Sequence, residues 1–330
     1  MQKKRVVSGM RPSGKLHLGH LVGALDNWKK LQVSHHCYFF VADWHALTSE
    51  YADTGEIREY VREIVIDWLS VGIDPEQATL FVQSRIPEHA ELHLLLSMIT
   101  PLSWLERNPT YKEQLQEITS RDLSTYGFLG YPVLQAADIL IYKANYVPVG
   151  IDQMPHIELT REIARRFNSL YGETLVIPEG MLTEFPKIPG LDGRKMSKSY
   201  QNYILVSDTP SEIRAKVRPM VTDPARVRRN DPGNPDLCPV FDLHKVFTPA
   251  PEHPALIQGC RSAGIGCLDC KEVLLGHLIG SIKEAHQRRQ ELAKDPQRIE
   301  EILQEGSLRA RSEAARTLSQ VKEAMRMAGA

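Results

Sequence analysis

The sequence predicts an α/β fold. A parallel sheet with helices on both faces spans residues 1–200, and an all-helical second domain follows over 201–330. Three observations lead there. The first 200 residues alternate short apolar runs with helix-period patterns, the texture of strands joined by crossover helices. Beyond about Tyr200 the strand runs thin out and helical patterns dominate. The 330 residues are 42% hydrophobic and 25% charged, which suits about two domains of ordinary composition.

The elements follow in order. Val6-Val7 opens a short strand, and Leu18, Leu21, Val22, Leu25, Trp28 and Leu31 then recur at three- and four-residue steps, an amphipathic helix. Cys37 to Ala42 is a continuous apolar run of strand length. Glu56 to Val71 is helical and Gly72 ends it. Thr79 to Val82 reads as a strand, and Glu88 to Ile99 as a helix stopped by Pro101. Pro132 to Lys143 is expected as a helix with proline in its first turn, where the missing N–H is harmless. Tyr146 to Gly150 is strand-like, and Met154 to Asn168 is a long helix. Val221 to Pro239 is rich in Pro, Asp, Asn and Gly and reads as loop. From Lys271 onward an apolar stripe through Val273, Leu274, Leu275, Leu278, Ile279 and Ile282 marks helix.

This composition excludes a disordered chain, a collagen-like repeat and a disulfide-dense secreted module. No apolar run nears the roughly 18 residues of a membrane span, and the basic start has no apolar stretch behind it. A soluble cytoplasmic protein is the expectation. The net charge of −1 gives no global pull toward nucleic acid.

Two segments carry polar chemistry. Gly9-Met10-Arg11-Pro12-Ser13-Gly14-Lys15-Leu16-His17-Leu18-Gly19-His20 follows the first strand and opens the first helix, whose free N–H groups suit an anion. His17 and His20 share one face of that turn, and Gly19 lets a flat ligand approach. Alone, this pattern favours an ordinary strand-to-helix turn with two solvated histidines. Far downstream, Gly193-Arg194-Lys195-Met196-Ser197-Lys198-Ser199 makes a cationic loop able to close on a polyphosphate.

Together the two segments resemble the HIGH and KMSKS motifs of class I aminoacyl-tRNA synthetases, the second letter for letter. The resemblance implies a Rossmann-like fold with ATP between the motifs and His17, His20, Lys195 and Lys198 at its phosphates.

A third group lies on one helix face. Tyr131, Gln135 and Asp138 are spaced i, i+4, i+7. Gly150 allows backbone approach, Asp152 can accept from ribose hydroxyls, and Gln153 can meet an amino group. A carboxylate is a natural acceptor for an indole N–H, which can only donate.

The run Pro132-Val133-Leu134-Gln135-Ala136-Ala137-Asp138-Ile139-Leu140-Ile141-Tyr142 narrows the resemblance, with Val147-Pro148-Val149-Gly150-Ile151-Asp152-Gln153 and His156-Ile157-Glu158-Leu159-Thr160-Arg161. With Asp43-Trp44-His45-Ala46-Leu47-Thr48, they resemble bacterial tryptophanyl-tRNA synthetases along nearly the whole chain. The resemblance implies that Asp138 holds the indole N–H, that Tyr131 and Gln153 hold the amino group, and that His45 and Gln135 border the ring. Gly150 and Asp152 would hold the ribose, and Lys112 would reach the phosphates. Arg11, Ser13, Gly19, His20, Gln153, Lys195, Met196, Ser197, Lys198 and Ser199 complete the implied ATP contacts, with Mg2+. Arg11 stands where many family members carry Gln, Val7 where Phe is common, and Gln135 where Met is common. The last change recreates a pattern seen in tyrosyl-tRNA synthetases, so tyrosine is the alternative substrate. A related nucleotidyltransferase without tRNA, and an iron–sulfur protein, are alternatives from other classes.

Four of the five cysteines sit in one third of the chain: Cys238, then 21 residues to Cys260, six to Cys267, two to Cys270. Four thiolates suit zinc or a [4Fe–4S] cluster, and spacing leaves both open. The flanking Asp231-Pro232-Gly233-Asn234-Pro235 and Ile265-Gly266 resemble the branch of the family that carries a [4Fe–4S] cluster beside the anticodon site. Between Arg214 and Arg229 there are six basic residues and one acidic residue, a stretch that suits tRNA phosphates or simply solvent. The resemblance further implies tRNA(Trp) as partner and a homodimer.

Overall fold

The computed structural model describes residues 3–117, 122–182, 188–198 and 200–327. Five strands, β1 (Arg5–Met10), β2 (His36–Val41), β3 (Ala78–Val82), β4 (Tyr146–Val149) and β5 (Glu179–Leu182), form one sheet in the order β3-β2-β1-β4-β5. Every pairing is parallel: Val6 sits opposite Cys37 and Tyr146, Cys37 opposite Ala78, and Tyr146 opposite Glu179. Each strand therefore needs a crossover connection, which the helices supply.

Successive side chains of β2 point to opposite faces, and both faces are covered. Cys37, Phe39 and Val41 join one core, with Trp28, Ile64, Trp68 and Leu278. Tyr38 and Phe40 join the other, with Phe81, Ile139, Tyr142 and Ile163. Cys37 belongs wholly to this packing, and burial pushes its thiol up to about 12. The helices Ile57–Ser70 and Cys267–Leu292 pack on the first face, Tyr126–Leu140 and Met154–Tyr171 on the second. The last helix, Pro296–Ala324, contributes Ile299 and Leu303 to one core and Ala310 and Leu318 to the other.

The helix that carries Asp138 starts earlier than the sequence predicts. The helix around Pro132 begins at Tyr126, because the Thr125 hydroxyl accepts from the Phe128 N–H at 3.2 Å and caps it there. Pro132 thus lies inside the helix rather than in its first turn. The earlier start adds a turn ahead of Tyr131, so Tyr131, Gln135 and Asp138 stand on a formed helix face.

Candidate active site

The C-terminal ends of β1 and β4, the helix Tyr126–Leu140 and the turn after β2 enclose a cavity of about 390 Å³. Such a site lies where ligands gather in open α/β sheets. Of the residues singled out in the sequence, Arg11, His45, Tyr131, Gln135, Asp138, Gly150 and Gln153 line it. Ser13, His17, Gly19, His20, Lys112, Asp152, Lys195, Met196, Ser197 and Lys198 lie outside its wall. Ser199 lies outside the described residues.

Asp138 is the most deeply buried polar group in the wall, 1% exposed. Burial opposes its ionisation, yet hydrogen bonds from His45 and His89 outweigh that and hold the carboxyl down at about 2. Tyr131 lies two turns earlier on the same helix face, its hydroxyl 3.2 Å from His156 Nε2. His156 in turn meets the Asn108 amide nitrogen through Nδ1 at 3.3 Å. That amide is oriented by the Thr110 N–H, which donates to its oxygen at 3.0 Å. Burial pulls His156 down to about 4, so the ring is neutral.

Across Gly150 the chain turns into Asp152 and Gln153. A Cβ on Gly150 would stand 2.6 Å from Asp152 Oδ1, the tip of an exposed side chain that can swing aside. Asp152 is exposed and accepts from the Gln153 amide at 3.1 Å.

The phosphate-type residues form a second group. His17 caps the first helical turn, accepting the Gly19 N–H at 3.1 Å, while the His17 N–H donates to His20 Nδ1 at 3.2 Å. The two rings touch at a tilt of 47°, with centroids 3.9 Å apart. Burial, then the charges of Lys198 and Lys195, pull His17 down to about 4; burial holds His20 well below its usual range too. Both are neutral hydrogen-bonding groups at physiological pH. The cationic loop is anchored by buried Met196, whose N–H donates to the Ile188 carbonyl, and by the Ser197 N–H donating to Asn202 Oδ1 at 2.8 Å. Lys195 and Lys112 are exposed. The sequence thus reaches both groups, but it misses Gln83, His89 and Asn108, which come from separate elements and have no local spacing signal; Tyr142, four residues after Asp138, stood in a quoted motif without a role. His156 stood in a quoted motif without a role.

The four cysteines lie on neighbouring segments that lead into the two long C-terminal helices, each near enough to influence the others' charge. Cys238 precedes the helix Pro239–Phe247, Cys260 lies in His253–Arg261, and Cys267 and Cys270 occupy the first turn of Cys267–Leu292. All four are half-buried and free of disulfides. Burial and the neighbouring thiols push Cys270 up to about 12. Among the described residues, no three His, Cys, Asp or Glu side chains gather as they would round one metal ion.

Residues 1–279 match the family model of class I tRNA synthetases for W and Y. A tryptophan–tRNA ligase of Thermotoga maritima is 53% identical, covering 98% of this chain and 99% of its own length. One from Aquifex aeolicus is 47% identical, covering 98% and 100%. The crystal structure of tryptophanyl-tRNA synthetase from Campylobacter jejuni, complexed with ADP and tryptophan, superposes with a TM-score of 0.90 at 33% identity. That comparison covers 98% of this chain and 100% of the other.

Proposed function

The chain belongs to the class I tRNA synthetases for tryptophan and tyrosine and acts as a tryptophan–tRNA ligase; from that premise we propose how its own residues divide the work. The observation that carries the proposal is an ionised, buried carboxylate, Asp138, in the wall of a cavity whose other end opens on Gly150 and Gln153. Asp138 accepts the ring N–H. Tyr131 and Gln153 hold the ammonium group, and His45 and Gln135 border the ring. Gly150 and Asp152 take the adenosine ribose, and Arg11, Ser13 and Gly19 shape the nucleotide end.

ATP and Mg2+ are general to this class, the metal offsetting phosphate charge. The tryptophan carboxylate attacks the α-phosphorus, the bond to the β-phosphate oxygen breaks, and pyrophosphate leaves. The substrate is its own nucleophile, so alignment and charge stabilisation are what the protein supplies. His17 and His20 donate hydrogen bonds without adding charge; Lys112, Lys195 and Lys198 supply it, and Met196, Ser197 and Ser199 complete the ATP contacts. The 2′-hydroxyl of the terminal adenosine of tRNA(Trp) then attacks the adenylate carbonyl and AMP leaves. ATP–pyrophosphate exchange with tryptophan and with tyrosine tests this division of labour. Exchange with tryptophan is expected; exchange with tyrosine alone overturns the assignment of Asp138, and exchange with neither overturns the whole scheme.

Residues 1–200 serve as the catalytic domain and 201–330 as the anticodon-binding domain, with Arg214 to Arg229 toward tRNA. Cys238, Cys260, Cys267 and Cys270 would hold a [4Fe–4S] cluster, with zinc as the lesser fit. The Arg226 guanidinium 3.9 Å from Cys260 Sγ supports an anionic group there. A bound cluster would tie the starts of Pro239–Phe247 and Cys267–Leu292 to the end of His253–Arg261, beside the anticodon surface. A brown protein with broad visible absorption supports iron; loss of the cluster with tRNA binding intact overturns the structural role. Exposed Leu94, Met98 and Leu102, at 51%, 70% and 56%, lie close in sequence on neighbouring helices and support a homodimer. Light scattering behind a sizing column tests it. No described helix is long and apolar enough to cross a membrane, in keeping with a cytoplasmic enzyme.

A further inference from the structure

Asp138 meets a set of donors that the scheme above does not use. Gln83 Nε2 straddles the carboxylate, 2.8 Å from Oδ1 and 2.9 Å from Oδ2. His89 Nδ1 lies 2.6 Å from Oδ1, and His45 Nε2 lies 2.7 Å from Oδ2. Of these three only His45 belongs to the cavity wall. Gln83 and His89 are both 0% exposed and approach from behind, one from the turn after β3, the other from the helix Glu88–Ser97.

An ionised carboxylate only accepts, so every one of these contacts is a donation toward Asp138. That puts a proton on His89 Nδ1 and leaves Nε2 facing the Tyr142 hydroxyl at 2.6 Å. Tyr142 is itself 0% exposed and stacks on Tyr38, which fixes its ring. The Gln83 amide is fixed by the same logic, because turned over it would set its oxygen against the carboxylate. In the orientation it holds, Gln83 Oε1 is buried without a partner. A fold that only needed a stable interior would not leave that acceptor unmet in order to solvate a buried charge.

We propose that Gln83 and His89, braced by Tyr142, are positioning residues that hold Asp138 as an aimed acceptor and thereby set the enzyme's demand for a ring N–H. The proposal rests on the reading that Asp138 takes that N–H. The free enzyme is common to all substrates, so preference between two amino acids of one shape is decided only in their complexes. Tryptophan and its sulfur isostere, 3-benzothienylalanine, differ only in that donor. Their ratio of kcat/KM therefore reads the quality of the Asp138 acceptor and nothing about overall folding. Two donors behind the carboxylate fix its plane and keep it ionised. Without them it turns, and the N–H contact weakens.

The test uses the full-length enzyme in ATP–pyrophosphate exchange, with both amino acids and four variants: His89→Ala, His89→Gln, Tyr142→Phe and Asp138→Asn. In His89→Ala the preference for tryptophan is expected to fall about tenfold, the scale of one charge-assisted hydrogen bond. The loss should appear in the KM for tryptophan, with the KM for ATP kept. His89→Gln restores a donor and part of the preference. Tyr142→Phe, which deletes one hydroxyl and keeps the ring, lowers it less and stands in if His89→Ala does not fold. Equal losses for the two amino acids in both His89→Ala and Tyr142→Phe would overturn the proposal, leaving these residues merely structural. If Asp138→Asn abolishes the preference while the other variants keep it, the cradle alone fails. If Asp138→Asn keeps it, the reading of Asp138 fails first and takes the cradle with it.

Discussion

Lys198 Nζ donates to the Gly14 carbonyl at 2.8 Å, joining the cationic loop to the first strand-to-helix turn across 184 residues of sequence. Burial pulls this ammonium down to about 8, against the opposing pull of the Asp67 carboxylate. Phosphates arriving beside it would raise it again. ATP binding near pH 8 should therefore take up protons, and affinity should weaken as pH rises beyond about 8. Calorimetry in buffers of different ionisation heat measures the uptake. Lys198→Gln should abolish it, and zero uptake by the unaltered enzyme would remove Lys198 from the phosphates.

His17 and His20 are held neutral, so the activation step should show no histidine limb between about pH 5.5 and 7.5. His17→Ala should lower kcat about 100-fold, the scale of one lost transition-state donor. It also removes the helix cap. His17→Asn keeps a capping side chain and should retain stability while losing rate. A pH–rate profile of both steps, with melting curves, separates the two effects.

Asp67 is 0% exposed, and burial pushes it up to about 7, against the Arg289 guanidinium 3.3 Å away. In the unfolded chain it titrates near 4, so between about pH 4 and 7 the folded protein binds the extra proton. Its contribution to stability is full below about pH 4 and is lost as pH rises toward 7. Asp67→Asn should flatten that slope and gain up to about 4 kcal/mol at pH 8. Arg289 keeps its pairing with Glu63 in that variant. Denaturant titrations at pH 5 and 8 decide it; parallel slopes for both proteins would refute the assignment.

Gly306 lies where the helix Pro296–Ala324 crosses β3, and a Cβ there would stand 1.8 Å from the Leu80 carbonyl oxygen. That atom is backbone and cannot swing aside. Gly306→Ala should cost about 3 kcal/mol or more despite the better helix propensity of alanine. Thermal melting reads it directly, and an unchanged midpoint would mean that the crossing is looser than described.

Much of this was legible in the sequence, for identifiable reasons. The apolar runs at Val6, Cys37, Thr79 and Tyr146 gave four strands, because a sheet covered on both faces needs continuous apolar segments. β5, Glu179–Leu182, has no such run; it pairs only with β4 and stays half-exposed. Helical periodicity put Tyr131, Gln135 and Asp138 on one face, and all three line the cavity. It could not find Gln83 or His89, since no local period links residues on separate elements. The same holds for Asp67 and Arg289, which are brought together by packing of the helices Ile57–Ser70 and Cys267–Leu292.

The crossing at Gly306 also bears on how the chain is made. β3 is the outer strand of its side of the sheet, and its backbone is approached by a helix that begins only at Pro296. Arg311 to Glu88, Arg85 to Glu300 and Arg5 to Glu313 then fasten that helix along the N-terminal half. During synthesis the nucleotide-binding half emerges first, with an open strand edge able to recruit a foreign strand. The ribosome must finish nearly the whole message before that edge is shielded, so a prematurely terminated chain is an aggregation hazard rather than a shorter enzyme.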